Sequence, residues 1–343
     1  MTMIVMACIL VGLAGILLLR DHRGKACNFF DQETSLSLRG FWCLIVVLVH
    51  VPEAYQNTWQ DAVGSFAYIG VTFFFMTSSY GLMQGVLRNG CSAVKGFWQR
   101  RLPKLLIPMV LVNIVDLPID WITERKIQVL SVLSISLFVR YLLLFYFLFW
   151  IVFRLPRKMS VVHRRNLLCV LAIVTSIVIY IADGRWSVEA LGFLYGILLA
   201  SHKEQFVDFA RRKWFRKCFV TAFACLIIGV LYIKAKNIAF LGDYLIRGLL
   251  GCAITLLMLQ CLTKYAIGNP VSRFLGKISF EVFLLHGMTF SVLTQLGTIK
   301  ESGVYILLSL AVTIVVSVLV NCVGGYLCKR INNWLNKRYA VAK

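Results

Sequence analysis

One apolar stretch of the chain, Ser37 to Tyr55, contains side chains that can bind anions or accept protons. Arg39 and His50 are eleven residues apart, about three turns of a helix, so both would lie on one face with roughly 16 Å between them. Glu53 follows His50 at a spacing that lets a helical carboxylate orient or pair with the imidazole. An ionisable side chain at membrane depth is costly and usually faces the interior of a bundle. The pattern indicates an anion-binding arginine below a proton-accepting histidine; the alternative is a histidine that only packs in the core.

The composition of the chain places this stretch in a membrane. Of 343 residues, 59% are hydrophobic and 15% are charged. A soluble globular protein averages about half apolar and a quarter charged residues, and a disordered chain is much less apolar. Both of these classes are excluded. We predict an all-α, polytopic integral membrane helix bundle.

Eleven apolar runs are long enough to be considered as transmembrane helices. They cover residues 2–19, 40–55, 63–87, 102–122, 132–153, 166–182, 187–201, 217–235, 244–263, 278–297 and 303–328. The runs at 40–55 and 187–201 are short for a full crossing. We expect those two to extend into their flanking residues or to be locally broken.

The basic residues between these runs predict the orientation of the protein. Alternate connections hold 28 of the 36 Lys and Arg residues, whereas the other set of connections holds seven. Cytoplasmic connections of membrane proteins are enriched in Lys and Arg. The N-terminus is therefore predicted outside and the C-terminus in the cytoplasm. The net charge of +21 therefore reflects basic residues in the connections predicted to be cytoplasmic. No nucleic-acid partner is expected.

Three segments make up the predicted organisation. Residues 1–33 form an N-terminal transmembrane anchor and cytoplasmic linker, 34–330 the membrane domain, and 331–343 a cytoplasmic tail. The first apolar run is preceded by no basic residue, which is atypical of a cleaved signal peptide. An uncleaved anchor is therefore expected.

The chain carries none of the common motifs for metal or nucleotide chemistry. Its eleven cysteines are scattered without a Cys-x-x-Cys pair, and its five histidines form no cluster at metal-ligand spacing. A Walker A loop and a Gly-x-Gly-x-x-Gly turn are also missing. We therefore predict no metal site and no permanently bound cofactor.

Four motifs in the same order resemble the membrane-bound acyltransferase-3 family of bacterial polysaccharide O-acyltransferases. The Arg39 and His50 pair matches its Arg, ten residues and His. The other three are FFFMTSSYG at Phe73–Gly81, with Ser79 where Gly is usual; RRLPKLLIP from Arg100; and FLGKISFEVFLLH at Phe274–His286, with Phe283 in place of Tyr. The resemblance spans roughly residues 34–330. It implies a ten-helix core, to which the run at 2–19 adds one helix.

The resemblance implies an activity. The family moves an acyl group, commonly acetyl from cytoplasmic acetyl-CoA, to a hydroxyl of an extracytoplasmic or lipid-linked glycan, in cell-envelope and exopolysaccharide biosynthesis at the bacterial cytoplasmic membrane. Arg39, Arg100 and Arg101 would bind the CoA phosphates. His50, with Glu53, would be the general base or, less simply, a transient acyl carrier. Partners would be membrane lipid, acyl-CoA, the acceptor and other glycan-assembly proteins.

Four further residues in or near the predicted helices each have two possible roles. Arg140 would stabilise an oxyanion or the sugar, or would form a structural ion pair with Asp116, Asp120 or Glu189. Trp186 and Glu189 would contact the acceptor, or belong to the interfacial aromatic belt. His286 would line the acyl channel or pack between helices.

Two other functions compete with the acyltransferase. Buried Arg, Glu and His residues are also typical of a proton-coupled transporter or a flippase for a lipid-linked sugar. The sequence shows no pair of repeated halves, which speaks against transport. A non-catalytic membrane subunit of a glycan assembly system is the third possibility.

Overall fold

The computed structural model describes residues 29–124, 129–155 and 159–341, and the elements in these ranges are helical. The predicted all-α fold is confirmed. Fourteen α-helices follow one another in the described ranges: α1 Gln32–Val49, α2 Thr58–Gly64, α3 Ala67–Asn89, α4 Phe97–Glu124, α5 Leu137–Arg154, α6 Val161–Ala182, α7 Ser187–Ala190, α8 Gly192–Ser201, α9 Lys203–Arg211, α10 Trp214–Ala235, α11 Arg247–Leu262, α12 Pro270–Lys277, α13 Ser279–Leu296 and α14 Ser302–Val341. Short 3₁₀ turns lie at Glu53–Tyr55, Gly90–Val94 and Val129–Leu133, and a π-helical turn at Leu241–Ile246.

Seven helices of the described ranges are long and apolar enough to cross a membrane. They are Gln32–Val49, Phe97–Ile119, Val129–Arg154, Val161–Ala182, Trp214–Ala235, Leu241–Leu262 and Ser302–Trp334. The runs predicted at 63–87 and 278–297 form helices α3 and α13 but fall outside this set. The run at 2–19 lies outside the described residues. A polytopic bundle is confirmed, while the number eleven stays a prediction.

The two short runs behave as expected. Helix α1 extends the run at 40–55 toward the N-terminus, beginning where the side chain of Asp31 accepts a hydrogen bond of 2.8 Å from the backbone N–H of Thr34. The run at 187–201 is broken into α7 and α8, which meet at Leu191. An N-cap carboxylate satisfies one of the free N–H groups of a first helical turn, so the start of α1 is specified locally.

Close helix contacts in the core depend on two small residues in α8. A Cβ atom at Gly192 would overlap the carbonyl oxygen of Thr72, and one at Gly196 would overlap that of Met76. Both carbonyls belong to α3, so the glycines let the backbones of α3 and α8 touch. Small residues at such spacing are the usual means of close packing between membrane helices.

Helix α1 packs against α12 and α3, and this places Arg39 beside the α12–α13 corner. Gly276 of α12 has no room for a Cβ atom because the carbonyl of Leu36 lies against it. An ion pair of 2.9 Å between Arg273 and Glu33 joins the same two helices. Further along, the thiol of Cys43 donates to the carbonyl oxygen of Ser279. The first residues of α13 are thereby held against the middle of α1.

Candidate active site

A cavity of about 290 Å³ lies between α1, α3, α4, α5 and α13. Three basic side chains line it: Arg39 from α1, and Arg101 and Lys104 from α4. Its other lining residues include hydroxyl and aromatic groups, namely Ser35, Thr77, Ser78, Tyr146, Ser279, Phe74, Phe138 and Phe283. The cavity therefore offers cations and neutral hydrogen-bonding groups to a ligand, with aromatic rings beside them.

Arg39 is partly buried and held in an unusual environment. Its Nε atom is buried and has no hydrogen-bond partner within the described residues. The carboxylate of Glu281 interacts with it electrostatically and is itself buried, with Oε1 accepting a 2.9 Å hydrogen bond from Asn321 and Oε2 unpartnered in the same ranges. Buried polar atoms normally have partners. The free atoms on Arg39 and Glu281 thus indicate a place where a ligand or water completes the hydrogen bonding.

A second cavity of about 260 Å³ adjoins the first, because both include Gly81 and Arg101 in their linings. Arg100 lines only this second cavity, where its Nη2 atom donates a 2.9 Å hydrogen bond to the carbonyl oxygen of Ala93. Ser92 and Asn89 are also in its lining. The structure thus brings together the three arginines assigned to phosphate binding, in two neighbouring cavities.

Aromatic side chains connect the first cavity to His286. The ring centroids of Phe283 and Phe138, which both line the cavity, are 5.1 Å apart. Trp186 packs against both, at 6.0 Å from Phe283 and 5.7 Å from Phe138. On its other side Phe283 is 5.8 Å from the ring of His286. A wall of rings therefore leads from the basic cavity to a buried imidazole.

His286 in turn contacts His50. The two ring centroids are 4.8 Å apart with the planes at 60°. His286 is 8% exposed, whereas His50 is exposed at the end of α1. The Nδ1 atom of His286 is buried and has no hydrogen-bond partner within the part of the chain that the structure describes. The sequence allows His286 a channel or a packing role, and the structure puts it next to the predicted base.

The hydrogen bond of His50 defines its tautomer. Its Nδ1 atom is 2.7 Å from the carbonyl oxygen of Val46, one turn earlier in α1. A carbonyl oxygen accepts only, so Nδ1 carries the proton and donates it. In the neutral ring, Nε2 then keeps its lone pair and can accept a proton from a substrate.

The expected pairing of Glu53 with His50 is wrong. Helix α1 ends at Val49, with His50 as its C-cap, and Glu53 begins a separate 3₁₀ turn. Proline disfavours the helical conformation for the residue before it, so Pro52 stops the helix before the helical spacing can form. Glu53 is exposed, and within the described residues no hydrogen bond joins it to the imidazole.

Other contacts hold the loop after His50 in place. The ring of Tyr55 stacks on that of Tyr305 at 3.7 Å and 3°. Ser302 donates to the carbonyl oxygen of Tyr55 at 2.5 Å and accepts from Asn57 at 2.8 Å. These residues lie about 245 positions apart along the chain, so no local sequence signal indicated them. The start of α14 therefore orders the loop that follows His50.

Arg140 and Glu189 do not form the ion pair that was one alternative. Glu189 is buried and accepts a 2.5 Å hydrogen bond from Arg247. Arg140 is exposed in the first turn of α5, where its Nε atom donates to the carbonyl oxygen of Ile135. Arg247, 58 residues after Glu189, is bonded to that carboxylate instead, and the alternative pairs of Arg140 with Asp116 or Asp120 stay predictions.

Trp186 is partly buried, and its role in acceptor contact or in the interfacial belt stays a prediction. It has a left-handed backbone conformation with φ of 61° and caps α7. Next to it, Tyr141 and Arg185 donate hydrogen bonds of 2.7 and 2.8 Å to Asp183, which lowers the pKa of that carboxyl group. A positive φ is strained for a large residue and is kept only where packing demands it. Here the packing against Phe138 and Phe283 holds the indole in the wall beside His286.

The described residues contain no group of three or more His, Cys, Asp or Glu side chains suited to a metal ion. The arrangement consists instead of cationic cavities, an aromatic wall and two imidazoles. Such a set can bind a polyanion at one end and transfer protons at the other.

A family comparison agrees with this geometry. The family model described as an acyltransferase domain, that of acyltransferase family 3, matches residues 37–322. This range includes both histidines, the aromatic wall and every residue of the basic cavities except Ser35. The chain belongs to this family and is a membrane acyltransferase. Comparisons with curated proteins and with solved structures found no match.

Proposed function

We propose that this membrane acyltransferase is an O-acyltransferase that moves an acyl group, acetyl in the simplest case, from acyl-CoA to a hydroxyl of an extracytoplasmic or lipid-linked glycan. The single observation that supports it best is the position of Arg39 and His50 on one unbroken helix. Arg39 lines the basic cavity, and His50 lies roughly 16 Å further along α1 against His286.

The donor is proposed from the charge of the cavities. Coenzyme A carries several phosphate charges, and Arg39, Arg100, Arg101 and Lys104 line the two adjoining cavities. Hydrogen bonds between guanidinium and phosphate groups are charge-assisted and can be bidentate. We place the phosphates there and the thin pantetheine arm along the aromatic wall toward His286. The donor is a co-substrate, and no resident cofactor is required.

The reaction uses the free Nε2 atom of His50. This atom accepts the proton of the acceptor hydroxyl while the hydroxyl oxygen attacks the thioester carbonyl carbon. The carbon–sulfur bond of the tetrahedral intermediate then breaks, and the departing thiolate takes the proton from His50. One ester and one free CoA thiol result, with no net change at the histidine. His286, one ring away, would position the thioester or donate to its oxygen.

The acceptor is proposed to approach from outside. His50 is exposed at the end of α1, next to the 3₁₀ turn at Glu53–Tyr55 and to α2. The connection that follows the turn, residues 56–62, has no Lys or Arg, whereas the N-terminal end of α1 adjoins a basic segment at 20–39. Under the positive-inside rule this puts the donor cavity at the cytoplasmic side. The site of action would be the bacterial cytoplasmic membrane.

The test is turnover of acyl-CoA by the purified protein in lipid nanodiscs. We expect release of free CoA from acetyl-CoA to be stimulated by a mixture of envelope glycans, with labelled acetyl recovered on the glycan. His50→Ala should remove both signals. A transporter or a non-catalytic subunit would leave acetyl-CoA intact in every sample, and that result would overturn the proposal.

A further inference from the structure

An apolar groove of about 340 Å³ lies between α8 and α11, away from the candidate active site. Its lining is almost wholly apolar apart from His202 at one end and comprises Tyr195, Leu198, Leu199, His202, Phe206, Cys252, Thr255, Leu256 and Leu259. From Tyr195 to His202 the groove follows α8 for roughly 10 Å, a third of the hydrocarbon thickness of a bilayer. Leu198 and Leu256 are 41% and 36% exposed, so the groove opens toward lipid.

A cation is fixed at the His202 end of this groove. Arg165 of α6 donates through Nη1 to Nε2 of His202 at 3.1 Å, and through Nε and Nη2 to the Oδ1 atom of Asn166 at 3.1 and 2.9 Å. The Nδ1 atom of His202 lies 2.6 Å from the amide oxygen of Gln205 and must donate to it. The imidazole therefore accepts from Arg165 and holds the guanidinium at the rim of the groove.

The guanidinium keeps donors for a ligand. A guanidinium has five N–H groups in a fixed plane, and the contacts with Asn166 and His202 use three of them. Within the described residues Arg165 forms no ion pair. The acidic residues of the adjacent helix α9, Glu204 and Asp208, are exposed to water.

Side chains typical of the lipid-headgroup region lie at the same end of the groove as the cation. Near the same end of α11, the indole N–H of Trp214 donates to the carbonyl oxygen of Gln260, and Lys264 lies 4.6 Å from the Trp214 ring centroid. Tyr265 stands edge-on to that indole. Trp and Tyr collect at the membrane–water interface, and Lys reaches into it. The polar end of the groove is thus interfacial and its apolar part lies in the hydrocarbon.

We propose that this groove binds an anionic glycerophospholipid. Its phosphate would contact the remaining N–H groups of Arg165, and one acyl chain would occupy the groove between α8 and α11. The positive charge of Arg165 favours this occupant. A zwitterionic lipid has the same acyl chains, but its headgroup has no net negative charge to attract the guanidinium. The connection that follows, residues 203–217, adds six Lys and Arg residues on the same side. This site is independent of the proposed acyl transfer.

The test is native mass spectrometry of the purified protein with equimolar phosphatidylglycerol and phosphatidylcholine carrying identical acyl chains. Wild-type protein is expected to retain phosphatidylglycerol preferentially. Arg165→Gln should reduce that preference about fivefold, which is the usual contribution of one basic side chain to binding an anionic lipid surface. Leu256→Trp, which puts a ring into the groove at an exposed position, should reduce retention of both lipids.

Arg216→Gln is the matched control, because Arg216 is an exposed arginine of the same basic connection that does not line the groove. It should keep the wild-type preference. Equal losses in Arg165→Gln and Arg216→Gln would mean that the overall charge of this face attracts the lipid, and would overturn the site. Equal retention of the two lipids by wild-type protein would overturn it as well.

Discussion

The imidazole rings of His50 and His286 meet at 4.8 Å although the two residues are 236 positions apart in the chain. His50 is the exposed C-cap of α1, and His286 is buried in the middle of α13. The contact of Cys43 with Ser279 holds the two helices together below the pair. An exposed proton acceptor next to a buried ring is an arrangement in which one histidine can exchange protons with a substrate while the other positions it.

His50→Ala should lower kcat for acyl transfer by roughly 100-fold or more, the usual contribution of a general base. The protein should stay folded, because His50 is exposed and, within the described residues, its hydrogen bond is to its own helix. The measurement is labelled acetyl transfer in nanodiscs, with circular dichroism for folding. His163→Ala is the control, since His163 is an exposed histidine that bonds to Ser160. Full activity in the His50 variant would exclude it as base.

His286→Phe tests whether this imidazole does more than pack. Phenylalanine keeps ring contacts with Phe283 and Phe290 but removes both nitrogens. We expect kcat to fall while KM for acyl-CoA changes little, because the phosphate-binding arginines are untouched. Steady-state kinetics at varied acyl-CoA separates the two constants. Wild-type kcat in this variant would show that His286 has a packing role only.

Arg39→Ala should weaken CoA binding by roughly ten- to hundredfold, as expected for loss of one charge-assisted contact. Arg100→Ala combined with Arg101→Ala should do the same. Calorimetry with CoA in nanodiscs measures the affinity directly. Arg216→Ala is a control, since Arg216 is an exposed arginine of α10 that lines neither cavity. Unchanged CoA affinity in the Arg39 variant would leave the basic cavity without its proposed ligand.

Gly196→Ala should destabilise the bundle by about 1 to 3 kcal/mol, the usual cost of overpacking a tight core. The added methyl group would overlap the backbone of α3 at Met76, and that backbone cannot move without separating the helices. Gly229→Ala in α10 is matched to it, because a Cβ atom there meets nothing within 4 Å. Thermal unfolding in detergent compares the two. Equal melting temperatures would contradict the close packing of α3 and α8.

Cysteine labelling tests the orientation of the protein. Cys91 is exposed in the connection predicted to be cytoplasmic, so it can serve as the inside reporter once the other ten cysteines are replaced. In a protein without native cysteines, Thr58→Cys places an exposed thiol in the connection predicted to lie outside. An impermeant thiol reagent added to intact cells should label the residue-58 thiol and spare Cys91. The reverse pattern would put the basic cavities outside, beyond reach of cytoplasmic acyl-CoA.

The sequence alone determined the properties that reside within single helices. Apolar runs and their flanking charges predicted the membrane bundle. A spacing of eleven residues, about three helical turns, predicted Arg39 and His50 on one face, because α1 continues from Arg39 to its C-cap at His50. The same local reasoning failed for Glu53. A helical spacing has meaning only while the helix continues, and Pro52 ends it.

Packing between distant segments decided the rest. Three features join residues that are tens to hundreds of positions apart in the chain. They are the contact of His286 with His50, the ion pair of Glu189 with Arg247, and the first basic cavity, which five helices line. The hydrophobic pattern tells which face of a helix is buried but not which other helix covers it. That choice depends on the fit between helix surfaces, such as the overlap that a side chain at Gly196 would cause with α3. The tertiary structure therefore decided which of several buried polar residues share a site.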